Sequence, residues 1–476
     1  MVMSEPAPAP KAGAGDSVEV SLFEVRKKIQ MRAVSGWFAT WRWGMVWFGQ
    51  LIYYGLCWLP WNGRQAVLFD LVERKFYIFG LIFWPQDVIY LAILLIISAY
   101  ALFLFTAIGG RLFCGYVCPQ TVYTEIFMWI EAKIEGDRSA RLKLDAEPMS
   151  GRKFVRKAAK HLVWFLFALW TGITFVGYFT PIRSLVEAIQ SWSLGPWETF
   201  WIFFYGFATY GNAGWMREQV CKHMCPYARF QSVMFDRDTL IVTYDTQRGE
   251  PRGARSRAAD HRARGLGACI DCSICVQVCP TGIDIREGLQ YECIGCSACI
   301  DGCNQVMDKM GYPRGLIRYS TERALELGWG RKEIFRHILR PRILIYAAIL
   351  ALIVASAAFA LALRTPLKVD VIRDRSNLGH IEEDGKVENA YRLQIMNTSE
   401  EPRRYLITVT GLPGIDINHQ QDMEVPVAAL TTQSVYVDVY VPRESGKQGS
   451  NRIFFDVKAI DDPGVAVHEK ASFLIP

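Results

Sequence analysis

The chain has 476 residues, a formal net charge of +6, 51% hydrophobic residues and 13% aromatic ones. That length allows two or three domains, and the apolar share is too high for an ordinary soluble protein unless it is gathered into segments, so a membrane component is expected. All thirteen cysteines precede residue 304, which frees the last part of the chain from thiolate or disulfide chemistry in any compartment.

Residues 1–36 are rich in Ala and Pro and then basic (Arg26, Lys27, Lys28, Arg32). They lack a short apolar core followed by a small-residue cleavage site, so a cytoplasmic tail is expected there. Residues 37–59 are aromatic and aliphatic, interrupted early by Arg42, and match the ~20 residues of a bilayer crossing. This is the first expected span, with Trp58, Pro60 and Trp61 at the interface and Cys57 as a structural thiol. The apolar run 76–84 is too short to cross and ends at Pro85, which predicts an interfacial or re-entrant piece. Residues 88–108 carry no charge and form the second span. The third is expected at 162–179, the fourth at 197–215 with Glu198 near its start, and the fifth at 343–363 between Arg342 and Arg364.

Lys and Arg are retained on the cytoplasmic side of spans. Ten of them fall between Arg111 and Lys160, against Arg64, Arg74, Lys75 and Arg183 in the loops after spans one and three. The N-terminus, the second-to-third loop and the long loop 217–342 are therefore expected in the cytoplasm, and residues 365–476 outside. In that last region the period becomes two: Tyr391, Leu393 and Ile395, then Val435, Val437, Val439 and Val441, then Ile453, Phe455 and Val457, alternate with other residues between Gly- and Pro-containing turns. Such short alternating strands predict an immunoglobulin-like β-sandwich. Asn397-Thr398-Ser399 matches a glycosylation sequon, most simply by chance.

The loop 217–342 holds eight cysteines in two copies of one spacing: Cys269, Cys272, Cys275, Cys279 followed by Pro280, and Cys293, Cys296, Cys299, Cys303. Two-residue gaps let a tight loop wrap three thiolates around a cubane, and in the bacterial two-cluster arrangement the fourth cysteine of each run ligates the other cluster. One [4Fe-4S] centre is thus expected on Cys269, Cys272, Cys275 and Cys303, and a second on Cys293, Cys296, Cys299 and Cys279, in a ferredoxin-like domain at about 260–312. Zinc favours isolated CxxC pairs, and disulfide frameworks favour short secreted chains, so neither suits this doubled run. The basic stretch from Arg248 to Arg264 reads as a solvated linker.

Four more cysteines repeat a second phrase, CxxxCP, at 114–119 and 221–226. Both copies lie at the cytoplasmic end of an expected span. A spacing of four puts two thiols on one face of a helical turn, where each pair can chelate a soft metal or form a redox couple. Small thiols also pack well in cores, but the repetition of Cys114 and Cys118 by Cys221 and Cys225 argues for chemistry. His223 and Met224 add two further copper-ligand types. The sequence has no phosphate-binding GxxxxGK[ST], no dinucleotide fingerprint and no recognisable carboxylate pair, and no nucleic-acid partner is expected.

The ferredoxin run, both CxxxCP motifs, Trp84-Pro85-Gln86-Asp87, the stretch from Tyr205 to Gly214 and Arg248-Gly249-Glu250-Pro251-Arg252-Gly253 together resemble the CcoG/FixG/RdxA family of cytochrome c oxidase accessory proteins. The resemblance implies a multi-pass protein of the bacterial inner membrane with two [4Fe-4S] clusters, an immunoglobulin-like C-terminal domain in the periplasm, and a part in maturing a cbb(3)-type oxidase. It further implies reduction of Cu(II) to Cu(I), with Cys114, Cys118, Cys221 and Cys225 as the copper or redox site. The partners implied are copper chaperones or a transporter, oxidase assembly factors, membrane lipids and an unidentified cytoplasmic electron donor. An electron conduit to quinone or a periplasmic partner, and a redox-sensing assembly scaffold, are the competing readings.

Overall fold

A computed structural model describes residues 29–476 apart from 258, 260–262 and 383–384, so the expected tail up to residue 28 lies outside the described residues. The chain folds into two compact bodies, one of the segment up to Leu68 with Tyr100–Tyr346, the other of Phe69–Ala99 with Ala347–Pro476.

Among the described residues three helices are long and apolar enough to cross a bilayer: Pro85–Gly109, Gly151–Val176 and Pro341–Ala362. They coincide with the second, third and fifth expected spans. Protein covers none of the apolar window of the first and little of the last, which suits side chains whose solvent is lipid. The other two expected spans are also helical. Trp37–Gly55 forms one helix, and Pro196–Thr209 runs on into a π-helix at Tyr210–Met216. Gly172 and Gly206 let helices Gly151–Val176 and Pro196–Thr209 touch, since a Cβ on Gly172 would collide with the Ile202 carbonyl. Small residues give close helix approach in the same way inside membranes.

The region between the second and third spans is helical rather than an open basic loop. It holds Pro119–Glu135 and Arg138–Ala146, and Gly151–Val176 starts well before residue 162 because Arg152, Lys153, Arg156, Lys157 and Lys160 continue its helix. Asp137 and Ser150 cap these last two helices, accepting from the Ala140 and Lys153 amides at 2.9 and 3.2 Å. The segment from Ile29 to Gly36 also departs from a free tail: the Arg32 amide donates to the Gln277 carbonyl at 2.8 Å, and Arg138 donates to the Gln30 carbonyl at 2.8 Å.

In the second body, Lys75–Ile78 pairs antiparallel with Leu81–Phe83. The run 76–84 is therefore a β-hairpin, turning at Phe79 in the left-handed region (φ 52); a short apolar run suits a strand as well as a membrane-surface piece. Beyond it Asp87, almost fully buried, pairs with Arg364 at 2.8 Å and with Lys368. The C-terminal region is a sandwich of two antiparallel four-stranded sheets. One has the order Asp422–Val427, Arg403–Thr410, Gly449–Ala459, Ala466–Ile475; the other has Asp416–Ile417, Thr432–Pro442, Lys386–Asn397, Leu367–Ile381. The period-two residues Leu393, Ile395, Val437, Val439, Phe455 and Val457 form its core. Asn397 is fully buried, and its amide donates to the Glu401 carbonyl at 2.8 Å, so the sequon is a turn-holding residue.

Candidate functional site

The two cysteine runs fold as the same loop twice. Asp271 and Gly295 occupy equivalent positions and both have positive φ (53 and 68), as do Ser273 and Ser297 (53 and 62). Left-handed residues other than glycine cost of order 1–3 kcal/mol and persist where the surroundings demand them. Here they bend each run tightly just before a helix, Ile274–Gln277 and Ala298–Met310.

The runs then exchange their last cysteines. Cys269, Cys272 and Cys275 line one gap together with Cys303. Cys293, Cys296 and Cys299 line another with Cys279, and Cys275 stands on the wall shared by the two. Burial pushes the Cys275 and Cys293 thiols up to about 11, and Cys296 and Cys303 up to about 12. Cationic irons favour the thiolate form and reverse that preference, so loading such a site releases protons. The apolar cover extends beyond 260–312: Val242, Tyr244, Leu316 and Ile317 complete it, and strands Ile241–Tyr244 and Ile317–Ser320 pair antiparallel.

The stretch read as a solvated linker is partly built into this site. Arg255 donates to the carbonyls of Gly253, Gly267 and Cys269 at 3.1, 2.8 and 3.1 Å, and the Cys269 amide donates to the Gly249 carbonyl at 3.3 Å. Residues 258 and 260–262 of that stretch lie outside the described residues.

Both CxxxCP motifs also share one local geometry. Cys114 sits in the short helix Leu112–Tyr116 and Cys118 begins helix Pro119–Glu135, with Pro119 in its first turn. Cys221 sits in the π-turn Val220–Met224 and Cys225 begins helix Pro226–Met234, again with proline in the first turn. Proline suits that place because the first amide has no partner within a helix. All four thiols come within electrostatic reach of one another, and burial pushes Cys114 up to about 11 and Cys221 to about 12. His223 and Met224 are exposed beside them. Among the described residues no three His, Cys, Asp or Glu side chains are gathered tightly enough for a single ion, and this holds for the ferredoxin-type thiols too.

The CxxxCP thiols lie directly on the second cysteine loop. Cys114 and Cys221 pack against Cys296, Ile294 and Ala298. A Cβ on Gly115 would stand 2.8 Å from the Cys296 backbone and 2.9 Å from that of Gly295. Gly115→Ala should therefore cost about 1–3 kcal/mol by overpacking, read as a lower thermal midpoint, whereas Gly44→Ala, whose Cβ meets nothing within 4 Å, should leave the midpoint level or higher.

Two site residues escaped sequence reading. Arg42, read as an interruption of the first span, is buried, donates to the Cys296 carbonyl at 3.3 Å and pairs with Glu125 at 3.2 Å. Asp301 accepts from the Ala39 amide at 2.8 Å and so caps helix Trp37–Gly55 from another element, while Gly36 leaves room for its carboxylate. A charge inside an apolar run was the one available signal for Arg42. Arg217 and Glu218 line a cavity of about 330 Å³ with Lys157, Lys160, His161, Trp164 and Trp215.

Comparison with known proteins agrees with this layout. Residues 216–322 match a family model described as a 4Fe-4S dicluster domain, residues 91–136 one described as a 4Fe-4S binding domain, and residues 357–476 one described as an IG-like fold at the C-terminus of FixG. Protein RdxA of Cereibacter sphaeroides is 38% identical over 93% of this chain and 95% of its own. Nitrogen fixation protein FixG of Rhizobium meliloti is 38% identical over 82% of this chain and 81% of its own. Among solved structures, a FixG-related protein from Vibrio parahaemolyticus is 20% identical and covers 24% of this chain and 98% of its own, with a TM-score of 0.21.

Proposed function

The chain belongs to the CcoG/FixG/RdxA family of iron–sulfur redox proteins, and from that premise we propose that it is a membrane-bound cupric reductase serving copper delivery to a cbb(3)-type oxidase. The observation that carries this reading is the seating of Cys114 and Cys221, one from each CxxxCP motif, against the Cys296 loop, with Gly115 in close approach to the Cys296 backbone. The eight ferredoxin-type cysteines would hold two [4Fe-4S] clusters in the crossed sets, and the chemistry such clusters would supply when bound is one-electron carriage. The chain's own part is to exclude water with Val242, Tyr244, Leu316 and Ile317, and to set the CxxxCP thiols at the edge of the cysteine loop, where they receive the electron.

The reaction moves one electron, taken from an unidentified cytoplasmic donor, onto Cu(II). The product Cu(I) is the thiophilic ion. Exposed His223 and Met224 suit the entry of copper beside Cys225. On this reading the protein sits in a bacterial inner membrane with clusters in the cytoplasm and the sandwich in the periplasm, facing copper chaperones or a transporter and oxidase assembly factors. Chemically reduced, cluster-loaded protein should convert Cu(II) to Cu(I), followed with a Cu(I)-specific chelator, and Cys221→Ser with Cys225→Ser should lower that rate at least tenfold. An unchanged rate in the double variant removes these thiols from the mechanism.

The 330 Å³ cavity favours one second reading, electron delivery to a quinone. Its walls combine the rings of His161, Trp164 and Trp215 with the charged side chains of Lys157, Lys160, Arg217 and Glu218, and His161 Nδ1 lies 2.8 Å from the Tyr210 hydroxyl, a pair able to pass protons to a reduced ring. Reduction of a soluble quinone analogue that is abolished by His161→Phe would support it.

A further inference from the structure

We infer that Cys114, Cys118, Cys221 and Cys225 are the ligand set of a third iron–sulfur cluster, seated one glycine away from the second ferredoxin-type cysteine loop. This rests on the reading that the CxxxCP thiols receive electrons from that loop, and it names what they hold.

The first argument is the number and source of the thiols. The 4Fe-4S binding match at 91–136 contains two cysteines, Cys114 and Cys118, where a cluster of that kind needs four thiolates. The fold supplies two more from a segment about a hundred residues on. Cys221 feels Cys114, Cys118 and Cys225, and Cys118 feels Cys225, so the four form one group rather than two separate pairs.

The second argument is the charge environment. Four thiolates around an iron–sulfur core leave a net negative charge, which a protein must meet with inward-facing donors. Arg111 lies within the field of Cys114 and Cys221 and is almost fully buried; its terminal nitrogen donates to the Ala228 carbonyl, while its Nε has no hydrogen-bond partner among the described residues. Gln231 is fully buried beside Cys114. The thiol donates to its Oε1 at 3.5 Å, and the rest of its amide lies within reach of the Tyr227 hydroxyl. Half a turn of that amide would aim an N–H donor at the sulfur, and side-chain amide orientation is free to follow what it faces. Cys118 and Cys225 each begin a helix, of seventeen and nine residues, whose amino-terminal dipoles add positive potential. A buried guanidinium in the field of Cys114 and Cys221, and a buried amide against Cys114, describe an anion cradle that a dry core does not require.

The third argument is access. Val278, Ile294 and Ala298 cover the thiols on the side of Cys296. A cluster there accepts one electron and returns one electron, with no bond made or broken and no proton required. Its ligands are then not free to bind copper, which leaves exposed His223 and Met224 as the soft side chains that meet the ion.

The test uses the full chain, purified in detergent without oxygen. Iron and acid-labile sulfide should exceed what two [4Fe-4S] clusters account for, and a redox titration followed by electron paramagnetic resonance should show a third reducible centre. Cys114→Ser with Cys221→Ser should remove only the excess, keeping both ferredoxin-type signals, and Cys57→Ser should match the wild type. Iron and sulfide equal to two clusters, with the four thiols alkylated under native conditions or occupied by zinc or copper, overturns the inference. If the double variant does not accumulate, the wild-type stoichiometry and titration decide alone. Excess iron without copper reduction would defeat the cupric reductase reading and leave the third cluster standing; copper reduction with iron for two clusters alone would do the reverse.

Discussion

Cys279→Ser is expected to erase the cluster whose other ligands are Cys293, Cys296 and Cys299, not the one whose first three ligands precede it in sequence. The prediction follows from the gap that Cys279 shares with those three residues, while Cys303 closes the gap of Cys269, Cys272 and Cys275. Serine is a poor ligand for iron held by thiolates, so about half of the ferredoxin-type iron should leave. The pairing is checked by comparing electron paramagnetic resonance spectra of chemically reduced variants. Cys279→Ser should superimpose on Cys293→Ser, and Cys303→Ser on Cys272→Ser, with the two groups distinct. Spectra of Cys279→Ser that match Cys272→Ser would mean that each run keeps its own fourth cysteine. The lost set includes Cys296, whose backbone touches Gly115. Copper reduction should accordingly fall to background in Cys279→Ser even with the other cluster intact.

The sites that were legible in the sequence are those written in local spacing. Both cysteine runs, both CxxxCP phrases and the period-two strands each carry their geometry within a few residues, and Leu393, Ile395, Val437 and Phe455 face the sandwich core as their alternation requires. What stayed hidden depends on pairing between distant segments. Arg42 interrupts an apolar helix, and its reason for doing so lies 254 residues away at the Cys296 carbonyl. Helix Pro119–Glu135 escaped because it buries Glu125, Glu131 and Glu135. A face that is charged and interior defeats hydrophobic periodicity, which assumes that charge points outward. The π-turns at Tyr210–Met216 and Val220–Met224 have no sequence period of their own, and such turns cluster at functional sites. The positions that broke the local rules are thus those that join the helices to the cysteine loops.

Glu131→Ala should destabilise the protein more than any substitution outside the cluster ligands. Its carboxylate is fully buried and is shared by Arg217 at 2.8 Å, Arg141 at 3.2 Å and Lys160 at 3.6 Å. These cations belong to the end of the π-helical stretch, to helix Arg138–Ala146 and to helix Gly151–Val176. Removing one partner of a buried ion pair leaves an uncompensated charge and costs about 3–5 kcal/mol. Three cations on one carboxylate place this case at the upper end, since Glu135 can offset only Lys160, which it meets at 2.9 Å. Arg217 has the most to lose. It occupies the left-handed region (φ 42), donates from Nε to the Gly214 carbonyl at 3.0 Å, and holds the chain four residues before Cys221. Loosening it should move the second CxxxCP motif as well as lower stability. Thermal unfolding of the purified protein should thus show a midpoint well below wild type for Glu131→Ala, and alkylation of Cys221 should become faster at temperatures where both chains are folded. Glu73→Ala, which breaks an exposed pair with Lys75, should change neither reading by more than about 0.5 kcal/mol. If Glu131→Ala behaves like Glu73→Ala, the buried network does not support the thiol site.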